Sequence, residues 1–177
     1  MTPTPLVRLF STEEWPLYRS LRLRALAQAP EAFGSTLANE QDRPEAEWAR
    51  RLAAGLDSGW DFPAVVEVAG EPVGLAWGHF DPAEPKVARL YQVWVAPTHR
   101  RLGAGQALLE AVIAWARARQ ADYLDLDVTV GDTPAARLYA RAGFRPNGPP
   151  APLRAGSSLL EQPQRLNLRR DVKAGDA

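Results

Sequence analysis

The chain has 177 residues, 46% of them hydrophobic, and its 21 basic residues are balanced by 21 acidic ones. This length favours one compact domain with a buried core, and the neutral balance argues against a surface that binds nucleic acid. The absence of cysteine excludes disulfides, thiolate metal sites and a cysteine nucleophile. Residues 1–8 lack a secretion signal and no apolar run is long enough to span a membrane, so we expect a cytoplasmic protein.

The N-terminal third predicts one strand and two helices. Leu6 to Phe10 is short and apolar, as expected of a strand. Ser11, followed by acidic residues, is typical of a helix start, and this helix should run from Trp15 to Ala29. A second helix is predicted from Pro44 to Ala54, for which Gly55 offers a C-terminal stop.

Three strands are predicted next, over Ala64–Ala69, Val73–Phe80 and Val87–Val95. Turn residues separate these strands, and no helical pattern intervenes between them. They should therefore form an antiparallel meander.

The second half of the chain alternates between helix and strand. The predicted elements are a helix (Leu102–Arg119), a strand (Tyr123–Val128), a helix that is capped by Asp132 and runs to Ala142, and closing strands at Phe144 and Leu166–Leu168. A strand, helix, strand order joins parallel neighbours, so the sheet should be mixed. A loop is predicted from the closely spaced prolines Pro146, Pro149, Pro150 and Pro152.

The segment Val93–Gly105 places two glycines between a strand end and the start of the long helix. The first backbone N–H groups of a helix have no partner within it and carry roughly half a positive charge. Gly103 and Gly105 would let phosphate oxygens approach these groups. Alternatively, the glycines only allow close packing of the helix start. Their spacing fits neither a P-loop nor a dinucleotide-binding fingerprint.

Two sequence blocks resemble the signatures of GNAT-superfamily N-acetyltransferases. Arg100-Arg101-Leu102-Gly103-Ala104-Gly105 is similar to the [Q/R]-x-x-G-x-[G/A] motif, and Val93–Pro97 is similar to the strand end before it. The second block, Asp132–Phe144, is similar to N-x-x-A-x-x-L-Y-x-x-x-G-F. Residues 30–35 and Glu47-Trp48 resemble the N-terminal helical region of bacterial members, so the likeness covers nearly the whole chain.

The resemblance implies an α/β (α+β) GNAT fold. A central mixed sheet of about six to seven strands would be flanked by about four helices and splayed between the fourth and fifth strands. We expect a single domain over residues 1–172 and a frayed tail over residues 173–177.

The resemblance also implies acetyl-CoA as the cofactor, without a metal. The positions that match the family's cofactor-binding residues are Val93, Val95, Arg100, Arg101, Leu102, Gly103, Ala104, Gly105, Asp132, Ala135 and Tyr139. Asp132 departs from the family, which has asparagine at this position. An ionised carboxylate cannot donate the hydrogen bond that an asparagine amide can donate. A contact to the cofactor's amide chain must then differ or use the Thr133 hydroxyl.

The resemblance assigns Tyr139 the role of the acid that protonates the leaving thiolate; the alternative is a core tyrosine beside Leu138. For the base, the residues to examine are Asp125, Asp127, Glu31, Tyr91 and His79. For the acceptor pocket, the candidates are Phe33, Trp60, Tyr91 and Asp127.

Three functional interpretations follow. The first is an enzyme that acetylates a primary amine on a small molecule, a peptide or a protein terminus. The second is a non-catalytic protein that binds or senses acyl-CoA, and the third is an interaction domain without a cofactor. No nucleic-acid or membrane partner is expected, and the proline-rich segment after Phe144 offers a surface for a homodimer.

Overall fold

The computed structural model describes residues 3–169, which fold into a mixed sheet with helices on both faces. The strands are β1 (Leu6–Leu9), β2 (Asp61–Val68), β3 (Glu71–Phe80), β4 (Val87–Val95), β5 (Tyr123–Thr129), β6 (Arg145–Pro146), β7 (Ala151–Pro152) and β8 (Leu160–Asn167). The α-helices are α1 (Trp15–Gln28), α2 (Leu37–Glu40), α3 (Glu45–Asp57), α4 (Ala104–Ala118) and α5 (Pro134–Ala142). No helix in this range is long and apolar enough to cross a membrane. The predicted frayed tail, residues 173–177, lies outside the described residues.

The strand order is β1-β2-β3-β4-β5-β8-β6, with β7 paired to β8. Strands β2, β3 and β4 form the predicted antiparallel meander, and β5 is the parallel neighbour of β4. The predicted mixed α/β architecture is therefore confirmed. Over residues 3–169 the sheet has eight strands rather than six to seven, because the proline-rich segment, predicted as loop, contributes the short strands β6 and β7. The short helix α2 likewise brings the α-helices in this range to five.

Several helix boundaries differ from the predictions, and the starts of α4 and α5 differ for identifiable reasons. Helix α4 begins at Ala104 rather than Leu102, because Gly103 adopts a left-handed conformation with φ +81°. Helix α5 is capped by Thr133 rather than Asp132, since the Thr133 Oγ1 atom accepts a hydrogen bond from the Ala136 N–H at 3.1 Å.

Gly55 does not stop helix α3. The helix continues to Asp57, and Gly55 lies buried beneath the indole ring of Trp77. A Cβ atom at Gly55 would lie 2.5 Å from that ring. The glycine is therefore required by the close approach of α3 to β3 rather than by helix termination.

Two apolar clusters lie on opposite faces of the sheet. On one face, α4 and α5 pack through a cluster that includes Leu108, Val112 and Leu124. On the other face, α1 and α3 pack through a cluster that includes Tyr18 and Trp48. The sheet therefore separates two helical layers, and both layers border any site at its middle.

A buried ion pair joins α1 to α2. Arg22 donates two hydrogen bonds to the carboxylate of Glu40, from Nη2 at 2.9 Å and from Nε at 3.3 Å. Arg22 is 5% exposed and Glu40 is 3% exposed. Burial by itself would raise the pKa of Glu40, but the hydrogen bonds and charge of Arg22 hold that pKa below its usual range. The Arg22 guanidinium also lies 5.0 Å above the Phe33 ring, so this pair supports the chain that follows α1.

Replacing Glu40 with glutamine is expected to lower the free energy of unfolding by about 3–5 kcal/mol, because the buried Arg22 charge loses its partner. Urea unfolding of the variant and the wild type measures this difference. The control is Glu47→Gln, which removes a partly exposed contact to Arg43 at 3.5 Å and should cost less than about 1 kcal/mol. An equally small loss in both variants would contradict the argument from burial.

Candidate active site

Strands β4 and β5 separate towards their C-terminal ends. They pair only through Val87–Arg89 and Tyr123–Asp125, although β4 continues to Val95 and β5 to Thr129. On its other edge, β5 pairs with β8 over its whole length, from Tyr123 to Thr129. A V-shaped gap therefore opens in the middle of the sheet, and the backbone groups of β4 that face it are left without a strand partner.

A β-bulge in β4 lies at this gap. Two residues of β4, Gln92 and Val93, lie opposite the single β3 residue Ala76. Gln92 adopts φ +57°, and its side chain accepts a hydrogen bond from the Tyr18 hydroxyl at 3.1 Å. Because a bulge disrupts the local ladder, it leaves an unpaired residue beside the gap.

The loop between β4 and α4 ends in an uncapped helix N terminus. Gly103 is the N-cap residue, and no side chain caps the first turn. The first N–H groups of α4, from Ala104 onwards, therefore have no partner within the helix, and the helix dipole makes this end attractive to anions. Arg100 and Arg101 are exposed in the same loop. Arg100 Nε donates to the carbonyl oxygen of Val95 at 3.3 Å.

The two glycines of this loop differ in backbone conformation and in the space that a side chain would find. A Cβ atom at Gly105 would lie 3.6 Å from Leu138 and 4.0 Å from Val95, which is ordinary contact. A Cβ atom at Gly103 would meet only Pro5 at 3.9 Å, but the positive φ at Gly103 disfavours any side chain. Close packing of the helix start therefore does not require these glycines. Gly103 permits the turn, whereas a Cβ atom at Gly105 would fit in ordinary contact with its neighbours.

Tyr139 lies on α5, on the face of the sheet that α4 and α5 cover. It is 5% exposed, and its ring packs edge-on against Phe144 with the ring centroids 5.6 Å apart. Burial raises the pKa of the Tyr139 hydroxyl above its usual value. The hydroxyl is therefore kept as a neutral phenol, which can donate a proton.

A crevice of about 370 Å³ opens at the gap between β4 and β5. It is lined by Arg89, Leu90, Tyr91, Asp125, Leu126, Asp127, Asn147, Pro163, Gln164 and Arg165. Along β5, Asp127 alternates with the core residues Leu126 and Val128, so its side chain faces away from α4 and α5. Tyr91 lies across the gap on β4 and is 44% exposed.

Asp127 and Asp125 share one face of β5 but have different environments. Asp125 accepts two hydrogen bonds from Arg165, at 2.7 and 2.8 Å. Within residues 3–169, Asp127 has no arginine or lysine within ion-pair distance, and burial raises the pKa of its carboxyl. The Arg89 charge opposes this rise and the Asp125 charge adds to it. Asp127 is therefore the carboxylate of the two that is free to accept a proton.

Several other predicted site residues do not line the crevice. His79 is tied to Asp61, with Nδ1 at 2.8 Å from the carboxylate oxygen. Trp60 is 38% exposed just before β2, two strands from β4. Phe33 is buried in the cluster with α1 and α3. Glu31 is exposed, and its carbonyl oxygen accepts a hydrogen bond from a neighbouring hydroxyl.

At the start of α5, the predicted cofactor contacts are exposed. The Asp132 carboxylate forms an ion pair with Arg137 at 2.6 Å. Ala135 is exposed in the first turn. Leu102 and Val93 are partly buried against the apolar cluster beneath α4.

Sequence reasoning missed residues that shape the crevice from distant parts of the chain. They are Arg89, Asn147, Pro163, Gln164 and Arg165. No local pattern marks them, because they meet only when β8 pairs with β5.

Comparisons with known proteins agree with this geometry. Residues 21–144 match the model of the acetyltransferase (GNAT) family. A mycothiol acetyltransferase from Thermobispora bispora is 33% identical over 129 residues, which cover 71% of this chain and 41% of that protein. The chain thus spans about two fifths of the length of this relative.

Solved structures show the same fold at low identity. An N-acetyltransferase from Staphylococcus aureus superposes with a TM-score of 0.78 at 16% identity, covering 94% of this chain and 99% of that one. A spermidine N-acetyltransferase from Vibrio cholerae, in complex with CoA and spermine, gives a TM-score of 0.76 at 15% identity, covering 93% and 96%. With the family match extending from α1 through both motif blocks, this chain belongs to the GNAT acetyltransferase family.

Proposed function

We propose that this chain is an acetyl-CoA-dependent N-acetyltransferase, which transfers an acetyl group to a primary amine by direct attack on the thioester. The observation that carries the proposal is the separation of β4 from β5 beside the uncapped start of α4. It provides an anion site and, next to it, a gap lined with unpaired backbone groups. Membership of the GNAT family supports the same activity.

The residues at this site fit acetyl-CoA. The backbone N–H groups from Arg100 to Gly105 would hold the pyrophosphate, because α4 offers them no partner. Backbone groups of Val93 and Val95 would bind the extended arm along the gap. Asp132 accepts but does not donate a hydrogen bond when ionised, so Thr133 or Ala135 would complete this contact at α5.

Two side chains supply the chemistry of proton transfer. When bound, acetyl-CoA supplies a thioester carbonyl that a neutral amine attacks, with release of the CoA thiolate. Tyr139 would donate its phenolic proton to the leaving sulfur. Asp127 would accept the proton that the amine loses, because desolvation raises the pKa of its carboxyl and makes the carboxylate a stronger base. The two groups lie on opposite faces of β5, as transfer through the gap requires.

An amine screen tests the proposed function. Acetyl-CoA is mixed with methylamine, 2-phenylethylamine, putrescine, glucosamine or the peptide Ser-Ala-Ala, and released CoA is read with a thiol reagent. The chain has no cysteine, so the reagent reports only CoA. Turnover with any of these amines supports the enzyme. Saturable binding of acetyl-CoA without turnover would favour the acyl-CoA-binding interpretation, and absence of binding would overturn both.

Replacing Asp127 with asparagine is expected to lower kcat/KM by about 10²–10⁴-fold, because the amine loses its proton acceptor. In the wild type, activity should fall as the pH drops through the raised pKa of Asp127, since only the carboxylate accepts a proton. This acidic limb should be absent from the pH–rate profile of the variant.

The control for Asp127 is its neighbour Asp125, which is neutralised by Arg165. Asp125→Asn should retain activity and move the acidic limb to lower pH, because the Asp125 charge raises the pKa of Asp127. An unchanged rate and profile in Asp127→Asn would remove Asp127 from the mechanism and leave it as a polar wall of the crevice.

We also propose a single catalytic domain over residues 1–172 and a cytoplasmic location. The lack of cysteine supports a reducing compartment. A primary-amine mechanism admits a small molecule, a peptide or a protein N terminus as the acceptor. Pairing of two chains into a homodimer stays a prediction.

A further inference from the structure

We propose that Arg154 is a positioning residue for the amine acceptor, which holds the turn at residues 30–34 beside the crevice. This inference rests on the proposed function. One nitrogen of Arg154, Nη1, donates to the carbonyl oxygen of Phe33 at 2.8 Å and to that of Pro30 at 3.1 Å. A single guanidinium nitrogen thus bonds two carbonyls of one turn, although Arg154 lies 121 and 124 residues away in the sequence.

The turn at residues 30–34 leads from α1 to α2, and the Arg22 guanidinium lies over its Phe33 ring. Pro30 and Glu31 are exposed. The Phe33 ring is 8% exposed and lies in the cluster beneath α1, which anchors one side of the turn. On the other side, the Thr129 hydroxyl donates to the Glu31 carbonyl oxygen at 2.6 Å. Arg154 and Thr129 together therefore bind three of the carbonyls of this turn.

The position of Thr129 places the turn beside the proposed proton acceptor. Thr129 follows Asp127 by two residues on β5, so both side chains lie on the same face, separated by about 7 Å along the strand. The turn at residues 30–34 therefore lies at the end of β5, beyond Asp127 and bordering the crevice, and we refer to it as the wall on this side. Asn147 and Pro163, which line the crevice, come from the same C-terminal region as Arg154.

Arg154 lies in a hydrogen-bonded tip between β7 and β8. The Leu153 N–H donates to the Leu159 carbonyl oxygen at 2.9 Å, and the Ser157 N–H donates to the Arg154 carbonyl oxygen at 3.0 Å. The Leu153 side chain is 5% exposed. Because the tip is fixed to β8, which also borders the crevice, Arg154 sets the distance between the turn and the sheet.

This contact should affect large and small acceptors differently. An amine with a bulky body touches the wall formed by the turn, and a mobile wall weakens the orientation of its nitrogen towards the thioester. Methylamine has almost no body to touch the wall. The phosphate-binding end of α4 lies on the opposite helical layer, so the affinity for acetyl-CoA should not depend on Arg154.

The test compares Arg154→Met with Arg154→Lys, which keeps the positive donor. Arg154→Met is expected to lower kcat/KM for the best bulky amine of the screen by about tenfold or more, while methylamine changes by less than about threefold. Arg154→Lys should recover part of the loss, because an ammonium still donates to carbonyls. The Kd of acetyl-CoA should stay within about twofold in both variants, as in the exposed control Arg50→Met.

A second measurement separates this inference from the proposed function. Hydrogen exchange of the amides in residues 30–36 should accelerate by about tenfold or more in Arg154→Met, without a change in α4. Unchanged exchange would show that Arg154 does not hold the turn and would overturn the inference even for an inactive protein. Equal losses for methylamine and the bulky amine would overturn it as well. Failure of the wild type to acetylate any amine would instead reject the proposed function.

Discussion

Tyr139→Phe is expected to lower kcat by about 10²–10³-fold while the Kd of acetyl-CoA changes by less than about threefold, because phenylalanine keeps the packing and removes only the proton donor. The ring would still contact Phe144 edge-on. The hydroxyl is protonated over the whole neutral range, since burial raises its pKa above the usual value. Activity should therefore not fall on the alkaline side until well above the usual tyrosine pKa of about 10.

The measurement for Tyr139 is steady-state turnover combined with calorimetric titration of acetyl-CoA. Tyr123→Phe serves as the control, because Tyr123 is a tyrosine of β5 that lies between two arginines rather than at the gap. A rate equal to wild type in Tyr139→Phe would assign Tyr139 to the core alone, which is the alternative that its sequence position left open. Equal losses in both variants would indicate a general effect of removing a hydroxyl.

Gly103→Val is expected to weaken acetyl-CoA binding by about 30-fold or more, because a β-branched residue is strained at the left-handed φ of this position. Gly103 adopts φ +81° as the N-cap of α4. Relief of the strain would rotate the peptide groups that start the helix, and these groups are the proposed anion site. Calorimetric titration of the variant with acetyl-CoA measures the effect.

A strained glycine elsewhere provides the matched control for Gly103. Gly59 adopts φ +70° before β2, and a side chain there would meet nothing within 4 Å. Gly59→Val should therefore lose a similar amount of stability, about 1–3 kcal/mol, and bind acetyl-CoA normally. If both variants bind equally well, the cradle at α4 is not the phosphate site and the glycine serves only the turn.

The two predictions probe different sides of the same gap. Gly103 concerns the anion site at the start of α4, and Tyr139 concerns proton transfer at the reacting sulfur. Loss of binding in one variant and loss of turnover in the other would support the proposed division of the site. Arg154 adds a third part, because it acts on the acceptor side and reaches the crevice only through the turn that it holds.

Local patterns were sufficient to predict much of this fold. Alternating apolar residues predicted β2, β3 and β4, and apolar residues at helical spacing predicted α4, because these periods report one buried face of each element. The loop at Gly103 could also be predicted, since its glycines and the residues of the first motif block are contiguous in the chain. The candidate acid Tyr139 came from the second block in the same way.

The sequence alone could not separate residues that share a pattern. Asp125 and Asp127 alternate identically along β5, and only the pairing with β8 brings Arg165 to Asp125 and leaves Asp127 without an ion pair in the described part of the chain. The sequence predicted a helix stop at Gly55, whereas the structure shows that the glycine makes room for the Trp77 ring. Such differences arise from burial and from neighbours that are distant in the sequence, which no local window contains.

The chain by itself therefore determined which elements form and where the glycine turn before α4 lies, because backbone preference and apolar period act over a few residues. Only the tertiary structure decided which carboxylate of β5 lacks an ion pair within the described residues, how far β4 and β5 separate, and what holds the turn at residues 30–34. Arg154 and Pro30 meet across 124 residues, and their contact depends on the β7–β8 tip crossing to the end of α1. Ion pairing, desolvation and the width of a crevice are properties of such long-range contacts, so they appear only once the strands are ordered in the sheet.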